Sequence, residues 1–165
     1  STSPAPAPPH PTTEAPEPVP RGGRLRLYPG DAATGILLTA VAGACRHVWN
    51  HMLADQERRY RLWQAYRIGP KPVPTFFTLG RRFTVLRNDP DHAWLKDYPF
   101  ACVRYSLKCL ADAYQRYRKD PQTEGKPRFK ARHFTVPAFT IPEAVKLDGD
   151  RLRVPKVGCP DEPRR

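Results

Sequence analysis

Cysteine is scarce in this 165-residue chain: four stand at positions 45, 102, 109 and 159, and no Cys-x-x-Cys pair occurs. A zinc ribbon carried by these residues is therefore not expected. Cys102 and Cys109 lie seven positions apart, two turns or about 10 Å along one helix, which is beyond the reach of a disulfide. Buried thiols in a reducing compartment is the simple reading. Long apolar runs are missing as well. The longest uncharged stretch, residues 32–45, is broken by Thr34, Gly35, Thr39 and Gly43 and falls short of the ~20 apolar residues that span a membrane. The amino terminus has neither the basic segment nor the apolar core of a secretory signal. The expectation is a soluble, cytoplasmic protein without membrane contact.

Acidic residues are few. There are 16 against 28 Lys and Arg, and because residues 1–20 hold two acids and no Lys or Arg, residues 21–165 carry a formal +14. Charge of this sign and size expects a polyanion. Arg outnumbers Lys 20 to 8, which favours forked contacts to phosphate or base edges over simple neutralisation. Nucleic acid is the leading partner.

Proline is plentiful and unevenly spread: "STSPAPAPPHPTTEAPEPVP" holds eight of the 21. That stretch has almost no large apolar residue to offset the ordering of its backbone, so residues 1–23 are expected to be a disordered, polyproline-like spacer. Next, "RLRLY" alternates Arg24 and Arg26 with Leu25 and Leu27, a half-buried strand pattern. Pro29, Gly30 and Asp31 supply turn and cap chemistry. Leu37, Val41, Ala44, Val48 and Met52 then recur at intervals of three and four, predicting a long amphipathic helix that runs toward Ile68 and ends at "GPKPVP". A second helix is predicted from about Thr75 with Phe76, Leu79, Phe83 and Leu86 inward, and a third from about Phe100 to Lys119 along Val103, Leu107, Leu110, Tyr114 and Tyr117. "FTVPAFTI" reads as an edge strand interrupted by Pro137. In "VKLDGDRLRV", Asp148 and Gly149 between alternating runs predict a hairpin with Lys146, Arg151 and Arg153 on one face.

The stretch "GKPRFKARH" places Lys126, Arg128, Lys130 and Arg132 at every second residue. On an extended strand all four would point one way, with Pro127, Phe129 and Ala131 opposite. Alone, it could equally be a solvated basic loop. Three strand segments with cations on one face tip the reading toward a basic sheet surface.

Catalytic constellations are thin. His47 and His51 stand four apart on the first helix, but "HVWNH" lacks the glutamate of a zinc-protease helix and offers no third ligand, so they read as polar-face histidines. Asp55, Glu57 and Asp112 do not make a two-metal carboxylate set. Trp49, Tyr66, Phe100 and Phe134 have the chemistry to stack on bases, yet aromatics at helical spacing are usually core, and Trp49 is assigned to packing.

Taken in order, "RLRLYP", "GACRHVWNHML", "WLKDYPFACVRYSLKCLADAYQRY", "GKPRFKARH" and "VKLDGDRLRVPKVG" resemble the amino-terminal half of the OrfB/TnpB family of insertion-sequence proteins, transposon-encoded RNA-guided DNA nucleases. The resemblance covers about residues 24–158. It implies an α+β fold in which a wedge-like β-barrel, from 24–31 and 121–158, is interrupted by a three-helix recognition insertion at 32–120, with tails at 1–23 and 159–165. It also implies guide RNA and target DNA as partners.

Residue by residue, Gly43, Arg46, Val48, Trp49 and Asn50 match the family's Gly-x-x-Arg-x-Val-Tyr-Asn signature, with Trp for Tyr. Gly43 would let another backbone approach closely, and Arg46 with Asn50 would position nucleic acid. Phe100 to Tyr105 stand where the family has a Gln-rich segment facing the target-flanking motif, and Arg104 at a usual Gln would favour guanine. Phe139 and Thr140 match a Phe-Thr step near that motif, and Gly125 to Lys130 match a Gly-x-Pro-x-Phe-Lys segment. The implied nucleic-acid-binding set is Arg24, Arg26, Arg46, Asn50, Phe100, Arg104, Lys126, Arg128, Lys130, Arg132, Thr140, Arg151, Arg153 and Lys156. The family's nuclease half, with its acidic metal ligands and zinc ribbon, has no counterpart in these residues, so no catalytic site, metal or other cofactor is expected of them. A truncated or decayed gene, a domain fragment and a non-cleaving derivative stay open, and a separately encoded nuclease half is a further partner to consider. The rival expectation is a duplex-DNA-binding helix-turn-helix protein or repressor.

Overall fold

The structure, a computed structural model, describes residues 28–133, 136–142, 145–149 and 151–153. Asp31 starts helix α1 by accepting a hydrogen bond from the Thr34 amide at 2.6 Å, and α1 then runs unbroken over Ala32–Tyr66. The predicted stripe faces inward: Val41, Ala44, Val48 and Met52 are buried, joined by Cys45, Trp49 and Leu53. Arg67 ends the helix in the left-handed region at φ 52, its amide returning to the Trp63 carbonyl at 2.8 Å. The prolines beyond it forbid continuation.

Helix α2 covers Phe76–Asn88 and opens with a reciprocal cap, in which the Thr78 amide donates to Thr75 Oγ1 and the Thr75 amide donates to Thr78 Oγ1. A 3₁₀ helix follows over Pro90–Asp97, capped by Asp89. Helix α3 spans Phe100–Lys119. It packs along α1 and against α2, while α2 also meets the 3₁₀ helix. Leu79, Phe83, Leu95, Val103, Leu107 and Leu110 fill the space between them, each at most 2% exposed. Full burial of one such side chain contributes ~1.5–3 kcal/mol, so truncating Leu107 to Ala at the α1–α3 seam costs about 3 kcal/mol.

Among the described residues the β-structure is one hairpin. Strand β1, Lys146–Asp148, pairs antiparallel with β2, Arg151–Arg153, so that Lys146 stands opposite Arg153 and Leu147 opposite Leu152. Gly149 takes φ 62 in the connection, as the Asp-Gly signal requires. The hairpin is as expected, but the wedge-like barrel is not there among the described residues. Residues 125–131 form no strand with any described residue, and α1 side chains take the Arg128 carbonyl and the Lys130 amide and carbonyl that a ladder would use. Residues 136–142 form no strand: Pro137 and Pro142 remove two donors, and Phe139 and Ile141 pack on the helical core. Tyr28 lies outside any strand, and the rest of "RLRLY" is outside the described residues. No helix among the described residues is long and apolar enough to cross a membrane.

Candidate nucleic-acid interface

The centre of the site is a junction between α1 and the segment after residue 125. Trp49 and Asn50, adjacent on α1, both reach that segment. The Trp49 indole donates to the Arg128 carbonyl at 2.9 Å. Asn50 donates from Nδ2 to the Lys130 carbonyl at 3.0 Å and accepts from the Lys130 amide at 2.8 Å, so one side-chain amide makes both bonds that a neighbouring strand would make. The Lys130 ammonium lies over the Trp49 ring, 3.9 Å from its centroid. Asn50 was expected to position nucleic acid beside Arg46; its polar groups instead hold protein backbone. Trp49 is buried, as expected of a packing residue.

This anchoring changes the expected row of cations. Lys126 is tied to Glu57 at 3.0 Å, Lys130 covers Trp49, and only Arg128 and Arg132 extend freely into solvent. Nor do the apolar residues all turn inward: Pro127 is buried but Phe129 is 56% exposed. Alternation fails because two pinned carbonyls on the α1 side, and not a sheet, orient the segment.

Arg132 and Arg46 line one open groove of about 790 Å³ along the first half of α1, with Ile36, Gly43 and Pro137. Among the described residues no atom lies within 4 Å of where a Cβ on Gly43 would stand, so no backbone of theirs makes the close approach expected there; Gly43 lines the groove. A smaller cavity of about 190 Å³ beside it brings Arg46 and Lys130 to Thr140. No carboxylate pairs with Arg46, Arg128, Lys130 or Arg132 among the described residues. Cys45 lines the same cavity, and burial pushes its thiol up to about 11, which keeps it protonated and unreactive.

A second patch lies at the start of α3. Arg104 is over the Phe76 ring at 4.8 Å and near Phe100 at 6.0 Å. Arg87 covers Phe100 at 4.8 Å, and Phe100 stacks on Phe83 at 6.2 Å. Phe100 is 44% exposed, so it is half core and half surface, framed by two guanidinium groups. Phe76 and Arg87 were not anticipated here; Phe76 opens the predicted apolar face of α2, and only the fold turns it toward Arg104. On the hairpin, Arg151 and Arg153 are exposed, Arg153 within 3.9 Å of Asp148. Arg24, Arg26 and Lys156 are outside the described residues, as is Phe134.

One further cluster was missed. His47 and His51 meet His92, which arrives from the 3₁₀ helix. Burial, followed by the neighbouring histidines, holds His47 below the usual imidazole range, and burial with His92 does the same for His51. No spacing rule joins residue 92 to residues 47 and 51, so the sequence carried no signal for it.

Comparison with known proteins adds two findings. A helix-turn-helix domain model of IS605-type OrfB proteins matches residues 20–62. The chain is 34% identical over 119 residues to "Putative RNA-guided DNA endonuclease InsQ" of Escherichia coli (strain K12), an alignment covering 71% of this chain and 27% of that protein.

Proposed function

We propose that the chain, which is similar over its matched parts to IS605-type OrfB proteins and to an RNA-guided DNA endonuclease, is a member of the OrfB/TnpB family of insertion-sequence proteins and binds nucleic acid as part of a transposon-encoded RNA-guided DNA endonuclease. The guide RNA scaffold and the target strand are the partners assigned. The observation that carries this reading is that Arg46 and Arg132 line one groove and Arg46 and Lys130 the cavity beside it, with no anion paired to these three among the described residues. Unpaired guanidinium groups beside a concave apolar floor suit a sugar-phosphate chain, whose counterions are released when it docks. Arg104, above Phe76 and Phe100, is assigned to the motif flanking the target, where a forked donor fits guanine. Strand cleavage is assigned to residues beyond those matched here, in the same polypeptide or a separately encoded one.

The second reading is a duplex-DNA-binding helix-turn-helix protein. Such a unit needs two helices joined by a short turn, whereas residues 32–62 of the matched segment lie in one unbroken helix. This favours the first reading. Fluorescence anisotropy with structured RNA, an RNA–DNA hybrid and duplex DNA of equal length distinguishes them. Preference for RNA or hybrid is expected, with affinity falling steeply as salt rises. A preference for duplex DNA would favour the repressor reading, and indifference to all three at low salt would overturn both.

A further inference from the structure

We propose that His47, His51 and His92 form a binding site for a divalent transition metal, with Zn²⁺ the best match, and that the metal fastens the 3₁₀ helix to α1. This goes beyond the nucleic-acid reading and does not depend on it. His47 and His51 share one face of α1 because they are four residues apart. His92 completes the group from Pro90–Asp97, and one ligand atom of each ring lies within 4.8 Å of the other two. The ring centroids stand 6.0, 5.5 and 5.2 Å apart. Tetrahedral zinc with bonds near 2.0–2.1 Å sets its nitrogen ligands about 3.4 Å from one another, so closure needs each ring to move inward by less than about 1 Å.

Two observations point to a ligand and not to stacking alone. Nε2 of His47 is buried and has no hydrogen-bond partner among the described residues, an arrangement that costs free energy unless something coordinates that atom. Asp89 Oδ2 lies 3.1 Å from Nδ1 of His92. A carboxylate on one ring nitrogen fixes the tautomer that presents the other, Nε2, as a lone pair, and this pairing accompanies most metal-bound histidines. Trp94 meets the His47 ring edge-on at 5.1 Å and shields one side. His51 is exposed, which leaves the fourth coordination position facing water, in reach of a small anion or a neighbouring group. Around His51, Asp55 and Asp89 favour an added cation while Arg58 opposes it. Three imidazoles without thiolate suit zinc, copper, nickel or cobalt, and exclude magnesium and calcium, which require oxygen ligands.

The test uses the full 165-residue chain stripped with a chelator, Co²⁺ as the spectroscopic probe and Zn²⁺ as its competitor. One Co²⁺ per chain is expected, with the visible bands of a four-coordinate site and no thiolate charge-transfer band, displaced by one equivalent of Zn²⁺. The thermal midpoint should rise with Zn²⁺. His51→Ala, at an exposed helical position where helicity by circular dichroism should persist, should weaken Co²⁺ binding by more than about tenfold, and Asp89→Asn by roughly tenfold. Cys109→Ser should change nothing. The proposal is overturned if the folded chain takes up no stoichiometric Co²⁺, if the spectrum shows thiolate ligation, or if His51→Ala binds as the parent does.

Discussion

The two halves of α1 treat arginine in opposite ways. In the second half, Arg58, Arg59 and Arg82 from α2 converge on Asp55 at 3.0, 2.9 and 3.0 Å, and Arg61 and Lys126 share Glu57. Arg82 also donates to Gln56 at 2.7 Å, and Gln56, 3% exposed, donates to the Pro72 carbonyl at 2.9 Å, tying the linker to both helices. In the first half, Arg46 stands with Arg132 along an open groove. Both acids of α1 fall in its second half, and residues 32–54 contain none. Net charge therefore locates nothing by itself. On the proposed function, a polyanion would dock where acids are missing, because a cation already paired with carboxylate offers little to phosphate.

The largest test of this contrast is Asp55→Ala. It leaves Arg82, whose side chain is only 16% exposed, without its anion. A loss of about 3 kcal/mol in urea unfolding is expected. Removal of Glu124, half-exposed and 3.8 Å from Arg116, should cost less than ~1 kcal/mol. Equal losses for the two variants would dissolve the distinction between structural and free arginines. Acid titration is a gentler version of the same test. Burial raises the Asp55 pKa, but hydrogen bonds from Arg59, Arg82 and Arg58 outweigh it and bring the group from 3.8 down to about 2. A depressed carboxylate contributes stability above its unfolded pKa and loses it as pH falls through the folded one. Stability should thus drop between about pH 4 and pH 2 by on the order of 2 kcal/mol, and Asp55→Asn should flatten that drop.

The helices were legible because their signals are local. The cap at Asp31 and the three-four spacing in α1 and α3 lie within a turn or two of the residues they govern, and the three helices form where their patterns predict. The 3₁₀ helix was passed over because "PDHAWLKD" is short and holds one buried residue, Leu95. The barrel failed for a different reason. Alternation in "GKPRFKARH" reports an extended chain but not its partner, and Asn50, read as a nucleic-acid contact, turned out to supply that partnership from 80 residues away. Likewise Arg104 could be placed on α3, but not above Phe76, and His92 not beside His47.

Asn50→Ala isolates the junction that orients the free cations. It removes two hydrogen bonds to Lys130, whose backbone is only partly buried, so water can replace part of what is lost and the cost should be about 1.5 kcal/mol. Hydrogen exchange should quicken at the Lys130 amide while the α2 core is unchanged. Protection that persists in the variant would mean that Trp49 alone holds the segment.

The smallest effect is the most discriminating. If the first half of α1 meets phosphate and the second does not, Arg46→Ala and Arg132→Ala should each lower the slope of log affinity against log salt by about one, with little change in stability. Arg59→Ala, which deletes one of three guanidinium groups on Asp55, should leave that slope unchanged, although it removes the same formal charge. The outcome matters because the three variants are identical in net charge. A long-range attraction governed by total charge would weaken all three equally, whereas contact through the groove weakens only two. Equal slopes would move the nucleic acid off this face.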